Sequence, residues 1–225
     1  MRAITPSLLT FVLALPLTAQ GPVAPAMAPP DSVRAVVAAR LADGRIPGLA
    51  VGRLSGGEVL RVTQGRARAE RAEPVTASTV FEIGSISKAF TGVLLADMVL
   101  RGEVALDDPV AKYLPAGTRV PERDGVAITL RHLTTHTSGL PRLPSNLEPK
   151  DPADPYADYA AARLTSFLAT HQLVRAPGAS YEYSNLGAGL LGYALATRAG
   201  LSYGELLRKR ILEPLGMTET GVSET

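Results

Sequence analysis

Residues 81–88 read Phe-Glu-Ile-Gly-Ser-Ile-Ser-Lys. We expect a short strand-like run over Thr79–Ile83, a break at Gly84 and a long helix that begins at Ser85. Ser85 and Lys88 are three residues apart, so a helix places both side chains on one face, about a turn apart. The stretch therefore predicts a hydroxyl and an amine side by side where a strand leads into a helix.

This pair has a possible chemistry and an ordinary structural explanation. A serine hydroxyl attacks a carbonyl well only when a nearby base takes its proton. A lysine can be that base when burial or a neighbouring group lowers its pKa, and free N–H groups at a helix start can stabilise an oxyanion. Alternatively, Ser85 caps the helix and Lys88 is a solvated side chain, since Ser-x-x-Lys is frequent by chance.

A second polar cluster lies about a hundred residues later, Tyr-Glu-Tyr-Ser-Asn at 181–185. A phenol titrates near pH 10, and a close ammonium group lowers its pKa, so Tyr183 is a candidate to carry a proton. Asn185 offers both a donor and an acceptor to an ester or amide substrate. The alternative is that Asn185 caps the next helix and the tyrosines belong to the core.

Together, Ser85-x-x-Lys88 and Tyr183-Ser184-Asn185 resemble the serine β-lactamase-related family, in the branch of class C β-lactamases, D,D-carboxypeptidase-like enzymes and family VIII carboxylesterases. The resemblance runs from Asp31 to the C-terminus and includes three further short motifs, at Leu106–Val110, Leu130–Leu140 and Glu213–Met217. It implies the α+β, β-lactamase/transpeptidase-like fold, in which an antiparallel sheet carries a helical subdomain.

The resemblance also implies a role for each residue. Ser85 is the acylated nucleophile and its N–H is one oxyanion donor, Lys88 and Tyr183 pass the proton, and Asn185 orients the acyl side of the substrate. No metal or other cofactor is expected. We therefore predict a serine hydrolase that forms an acyl-enzyme on an ester, an amide or a β-lactam. The predicted substrate is a small molecule or a peptide.

One family element is missing from this sequence. The Lys-Thr-Gly or His-x-Gly strand, which supplies a second oxyanion N–H, does not follow Asn185. We therefore expect residues 29–225 to be an incomplete hydrolase domain that lacks the C-terminal strands and helix, as in a fragment or truncated product. The alternative function is an inert remnant, or a module of the same fold that binds cell-wall peptide.

The N-terminus is typical of an exported protein. Arg2 precedes an uncharged run, Leu8–Ala19, which is shorter than the roughly 20 residues that span a bilayer. Residues 1–28 are thus predicted to be a signal peptide and a Pro/Ala linker, with a secreted or periplasmic product and no stable membrane insertion after cleavage. A buried N-terminal helix is the alternative.

Composition excludes several function classes. The chain has 225 residues, 46% of them hydrophobic and 20% charged, which is typical of a globular protein. A net charge of +2 gives no electrostatic argument for nucleic-acid binding. The sequence has no cysteine, so disulfides and thiolate chemistry are excluded.

Periodicity and turn residues predict the other elements. They are a helix from Asp31 to Gly44, a hairpin of Leu49–Leu54 and Glu58–Gln64, short helical pieces at Asp107–Leu114 and 128–136, a surface loop over 141–158, and helices over 158–172, 186–199 and 203–211.

Three weaker patterns are given structural explanations. His132 and His136 have a spacing that suits a metal, but no third ligand is evident. Gly187–Gly192 matches a dinucleotide-binding pattern without the strand that such a site needs, so close helix packing explains it better. Asp107 and Asp108 are expected to cap a helix rather than to act as a catalytic pair.

Overall fold

The computed structural model describes residues 29–222. The predicted signal peptide and linker, residues 1–28, lie outside the described residues. The chain divides into two compact units, with the boundary after Thr79. Within residues 29–222, no helix is long and apolar enough to cross a membrane.

The first unit contains one helix and one hairpin. The helix α1 covers Pro30–Ala42, and the antiparallel strands are β1, Gly48–Ser55, and β2, Glu58–Gly65. Gly56 and Gly57 connect the strands, and both have a positive φ, which suits the twist of a two-residue hairpin turn. The predicted helix and hairpin are confirmed.

The helix α1 packs on both strands of this hairpin. Val37, Val62 and Val75 are buried in the first unit. Gly65 has a φ of 89°, and a Cβ there would lie 2.4 Å from the carbonyl oxygen of Pro47. Only glycine fits at this position, where the end of β2 passes close to the start of β1.

The predicted strand over Thr79–Ile83 is wrong, because the described residues form no strand there. The hydroxyl of Thr79 accepts the N–H of Thr76 at 2.9 Å, and the N–H of Ser78 donates to the hydroxyl of Thr76 at 3.2 Å. These side chains form a local turn over residues 76–79, at the start of the predicted strand.

The second unit consists of helices and one small hairpin. Its regular elements are α2, Ser87–Leu100; β3, Glu122–Arg123; β4, Val126–Ala127; α3, Leu130–Thr134; α4, Ala161–Thr170; α5, Asn185–Ala199; and α6, Tyr203–Leu207. Three tighter or wider turns accompany them, the 3₁₀ turns Gly84–Ile86 and Val110–Tyr113 and the π turn Arg208–Leu212.

Several boundaries differ from the predictions. The helix expected from Ser85 begins with the 3₁₀ turn, and α2 itself begins at Ser87. The helix expected over Asp107–Leu114 is reduced to one 3₁₀ turn. The β3–β4 hairpin was not predicted, although its connection, Asp124-Gly125, has a positive φ at both residues and is a recognised hairpin signal.

The core of the second unit surrounds α5. Its largest fully buried side chains come from five helices and the segments that join them: Leu94, Met98, Ile128, Leu130, Leu133, Leu140, Leu168, Leu190, Leu195, Leu206 and Val110. A Cβ on Gly187 would lie 3.3 Å from Ser184 Oγ, and one on Gly192 would lie 3.2 Å from the Tyr203 ring. Gly187 and Gly192 thus serve close packing, as predicted, whereas a Cβ on Gly189 would meet no atom within 4 Å.

The described residues contain helices and two small antiparallel sheets, which makes the fold α+β, as the sequence predicted. The second unit alone contains all four residues predicted for the site.

Candidate active site

Ser85 lies in the 3₁₀ turn before α2 and is exposed. Gly84 has a φ of 51°, and its carbonyl oxygen accepts the hydroxyl of Ser87 at 2.6 Å. Neither the 3₁₀ turn nor α2 has a side-chain cap. The suggestion that Ser85 caps the helix is therefore wrong, and its hydroxyl is available for other contacts.

The Ser85 hydroxyl meets both predicted proton-carrying groups. Its Oγ lies 2.6 Å from the Tyr183 phenol oxygen, although the two residues are 98 apart in the sequence. Lys88 Nζ donates to Ser85 Oγ at 3.3 Å and lies 5.0 Å from the centre of the Tyr183 ring. The two motifs thus form one cluster of hydroxyl, phenol and ammonium.

Neighbouring groups favour the phenolate form of Tyr183. The hydrogen bond with Lys88, and then that with Ser85, lowers the pKa of the phenol below its ordinary value of 10.0. The guanidinium of Arg142 lies 5.1 Å from the ring centre and adds positive charge. A phenol with a lowered pKa is a better proton acceptor near neutral pH.

The main chain after Tyr183 is fixed by the cap of α5. The buried hydroxyl of Ser184 accepts the N–H of Gly187 at 2.8 Å and donates to the carbonyl oxygen of Pro141 at 2.7 Å. Ser184, not Asn185, is therefore the cap, and Asn185 is the first residue of α5. The side chains of Tyr183 and Asn185 are both positioned by this one helix start.

Asn185 lies at the junction of two cavities. Its Nδ2 donates to the Tyr156 hydroxyl at 3.4 Å, while its Oδ1 is buried without a hydrogen-bond partner. A cleft of about 1170 Å³ is lined by Ser85, Lys88 and Asn185. An apolar pocket of about 240 Å³ adjoins it and shares Tyr156 and Asn185. The amide can thus contact a ligand that reaches from Ser85 toward the apolar pocket.

Arg142 and Tyr156 belong to the site but were not singled out from the sequence. Both lie in the segment 141–158, which its Pro, Asp and Asn residues indicate as a surface loop. A positive side chain and an aromatic one in a long loop are only a weak signal of function. The contact between Arg142 and the Tyr183 ring arises from tertiary structure, which the spacing of residues does not show.

The two histidine side chains make separate hydrogen bonds. His132 Nδ1 accepts the N–H of Thr129 at 3.2 Å, and His136 Nδ1 accepts the N–H of Ser184 at 3.2 Å. Within residues 29–222, no group of three or more His, Asp or Glu side chains could hold a metal ion.

The aspartate pair makes separate structural contacts. Asp107 binds the Arg131 guanidinium through two hydrogen bonds of 2.6 and 2.8 Å. Asp108 accepts hydrogen bonds from Tyr113 and Lys112. The expectation that these residues cap a helix is wrong, because the 3₁₀ turn that follows has no side-chain cap.

Known proteins are similar to this chain over most of its length. Residues 33–225 match the protein family described as Beta-lactamase. The chain belongs to the beta-lactamase family. The family resemblance inferred from the two motifs is thereby confirmed.

Two curated relatives of the beta-lactamase family come from Escherichia coli K12. A protein named Beta-lactamase is 35% identical over 193 residues, which are 86% of this chain and 48% of the relative. The D-alanyl-D-alanine-carboxypeptidase/endopeptidase AmpH is 39% identical over 142 residues, 63% of this chain and 36% of the relative. The chain spans about half the length of the first of these relatives and less of the second.

Solved structures agree with the fold. A beta-lactamase/D-alanine carboxypeptidase from Yersinia pestis, complexed with citrate, has a TM-score of 0.73 and 29% identity, covering 85% of this chain and 57% of that one. A class C beta lactamase from Rhodobacter sphaeroides has a TM-score of 0.66 and 33% identity, covering 83% and 49%. The β-lactamase/transpeptidase-like fold predicted from the sequence is confirmed.

Proposed function

We propose that the chain is a serine hydrolase that forms an acyl-enzyme through Ser85 on an ester, an amide or a β-lactam. The observation that supports this most strongly is the exposed Ser85 hydroxyl, 2.6 Å from the Tyr183 phenol and 3.3 Å from the Lys88 ammonium. The residues have the geometry that an activated serine needs, in a cleft large enough for a substrate.

The reaction has two steps. Ser85 Oγ attacks the carbonyl carbon, its proton passes to the Tyr183–Lys88 pair, and that proton then reaches the departing alcohol or amine as the old bond breaks. In the second step the same pair takes a proton from water, whose oxygen attacks the acyl carbon. The pair then returns that proton to Ser85 Oγ as the bond between Oγ and the acyl carbon breaks and the acid product leaves. The Ser85 N–H would stabilise the oxyanion of both steps, and Asn185 would orient the acyl group.

The substrate class and location are part of the proposal. The relatives named beta-lactamase and D-alanyl-D-alanine-carboxypeptidase/endopeptidase support a small cyclic amide or a peptide as substrate. The charged N-terminus and uncharged run over Leu8–Ala19 support export to the periplasm or the exterior. No cofactor enters any step.

A fluorophosphonate probe tests the nucleophile. We expect intact mass spectrometry of the full chain to show one covalent adduct, absent in Ser85→Ala. Ser87→Ala is the matched control, because Ser87 lies in the same turn and its hydroxyl is bonded to Gly84. That variant should label like the unchanged chain.

Two outcomes would contradict the proposal. One is a folded chain that gains no adduct, and binding of a cell-wall peptide without any adduct would then favour a binding module of the same fold. The other is an adduct that persists in Ser85→Ala.

A further inference from the structure

His136 has an unusual main-chain conformation next to the site. Its φ is 57°, and among the described residues Asp124 is the other non-glycine residue with a positive φ. Asp124 lies in a tight hairpin turn, which explains its conformation. His136 follows the short helix α3 and has side-chain and main-chain contacts that the proposed reaction does not use.

The contacts of His136 lie on both sides of Tyr183. Its carbonyl oxygen accepts the N–H of Glu182 at 2.8 Å, and its Nδ1 accepts the N–H of Ser184 at 3.2 Å. The imidazole packs on the Tyr183 ring, with 4.6 Å between ring centres, and meets the edge of Tyr181 at 5.9 Å. One residue thus binds the main chain before and after the phenol and supports its ring.

We propose that His136 is a positioning residue, whose neutral imidazole and carbonyl keep the Tyr183 phenol within hydrogen-bond distance of Ser85. This inference rests on the function proposed above. A displacement of about 1 Å can reduce a reaction rate about a hundredfold, so main-chain contacts of this kind affect the rate strongly.

The protonation state of His136 decides whether it can act in this way. Nδ1 accepts a hydrogen bond only in the neutral ring, because an imidazolium carries a proton on both nitrogens and would place one against the Ser184 N–H. Burial, and then the charge of Lys88, lowers the pKa of His136 below its ordinary value of 6.5. The imidazole is therefore neutral over the physiological range.

Other charged groups lie near the packed rings of His136, Tyr181 and Tyr183. Lys88 on α2 and the guanidinium of Arg142 both approach the Tyr183 ring. Glu182 is the nearby carboxylate, and it is paired with Arg175. Two positive groups close to these rings oppose a third charge on His136.

Two substitutions separate positioning from folding. His136→Gly keeps the positive φ without strain but removes both the ring and its acceptor. His136→Asn tolerates the same φ and keeps a side-chain acceptor, but it does not titrate near neutral pH. His171→Asn is the matched control, because His171 is also half-buried, has a lowered pKa from burial and stacks on Phe167 away from Ser85.

The readouts are the rate at which a fluorophosphonate labels Ser85 across pH and the pKa of Tyr183. The latter is followed by NMR with ring-labelled tyrosine, and Tyr183→Phe identifies its signal. We expect His136→Gly to label at least about tenfold more slowly, with the Tyr183 pKa moved toward 10.0. His136→Asn should stay within about threefold of the unchanged chain, because an acceptor remains. Protonation of His136 should add a fall in rate below pH 6.5 to the fall that protonation of Tyr183 causes, and His136→Asn should lose only this added fall.

Three results would overturn the inference. They are an unchanged labelling rate and Tyr183 pKa in His136→Gly, a His136→Asn variant as slow as His136→Gly, and a fall in rate below pH 6.5 that is as large in His136→Asn as in the unchanged chain. The last result decides the matter if His136→Gly does not fold. Absence of any adduct in the unchanged chain would instead contradict the proposed function, while the Tyr183 pKa would still test the role of His136.

Discussion

The Ser85 hydroxyl contacts a phenol whose pKa is lowered and an ammonium group that donates to it. Ser85 is exposed, whereas Lys88 and Tyr183 are half-buried. The proposed nucleophile is therefore open to a substrate, while the two proposed proton-carrying groups keep their contacts with each other. This difference in exposure is consistent with the acyl transfer proposed above.

Tyr183 gives a prediction about pH. Its pKa is lowered from 10.0 by Lys88 and then by Ser85, so the proton-accepting phenolate forms at lower pH than in a free phenol. We expect the rate of fluorophosphonate labelling of Ser85 to reach its upper plateau below pH 10. Tyr183→Phe should reduce the rate by about 10² to 10⁴.

Tyr181→Phe is the control for this measurement. Tyr181 is in the same short segment but is 68% exposed, and its hydroxyl makes no contact with Ser85 or Lys88. Ser85 in the Tyr181→Phe variant should therefore be labelled at the rate of the unchanged chain. Equal rates in Tyr183→Phe and the unchanged chain would rule out the phenol as a proton acceptor.

The four site residues could be predicted from the sequence, but their contacts could not. Ser85 and Lys88 are adjacent on one helix turn, which spacing alone shows. The approach of Tyr183 depends on the contacts of Ser184 with Pro141 and with His136, and both are tertiary contacts. A family resemblance connected the two motifs before any distance was known.

Among the helices and strands, α5 begins directly at the site, between Tyr183 and Asn185. Ser184 is buried, and its hydroxyl satisfies both Gly187 N–H and the Pro141 carbonyl. We expect Ser184→Ala to lower the free energy of unfolding by about 1–2 kcal/mol, measured by urea denaturation. It should also slow the labelling of Ser85, because the same residue connects Tyr183 to Asn185.

Thr129→Ala is the matched control for this cap. Thr129 caps α3 through the N–H of His132, in a capping box. Its loss should lower stability by about 1 kcal/mol with little effect on the labelling rate. If both variants lose stability equally and Ser85 is labelled as fast in each as in the unchanged chain, the α5 cap has no special role at the site.

The helices were predicted better than the strands, for a physical reason. The apolar spacing and the stop signals of α2 and α5 lie within each segment, so the sequence shows them. A strand depends on a partner elsewhere in the chain. Thr79–Ile83 has the composition of a strand, but the described part of the chain supplies no partner strand for it.

Over the second unit as a whole, one ion-pair network connects distant segments. Arg210, in the π turn after α6, donates to Asp97 on α2 at 3.1 Å and to Glu103 at 2.8 Å. These three side chains are each about one quarter exposed. We expect Arg210→Ala to lower the free energy of unfolding by about 1.5–3 kcal/mol, since it removes two hydrogen bonds between charged groups.

Arg208→Ala is a control from the same turn. Arg208 pairs with Glu213, but both side chains are more than half exposed. Arg208→Ala should therefore lower the free energy of unfolding by less than about 1 kcal/mol. Urea denaturation of both variants checks the comparison. Equal losses would show that the Arg210 network adds nothing beyond a surface pair.

The most direct test of the proposed chemistry is to locate the acyl group of a substrate on the protein. The full chain is mixed with a slowly released β-lactam or an activated ester, quenched in acid and digested with trypsin. The peptide that ends at Lys88 contains Ser78, Ser85 and Ser87, and fragmentation distinguishes them. We predict an acyl group on Ser85 alone. An acyl group on Ser78 or Ser87, or none on a chain that is folded by circular dichroism, would contradict the assignment of Ser85 as the nucleophile.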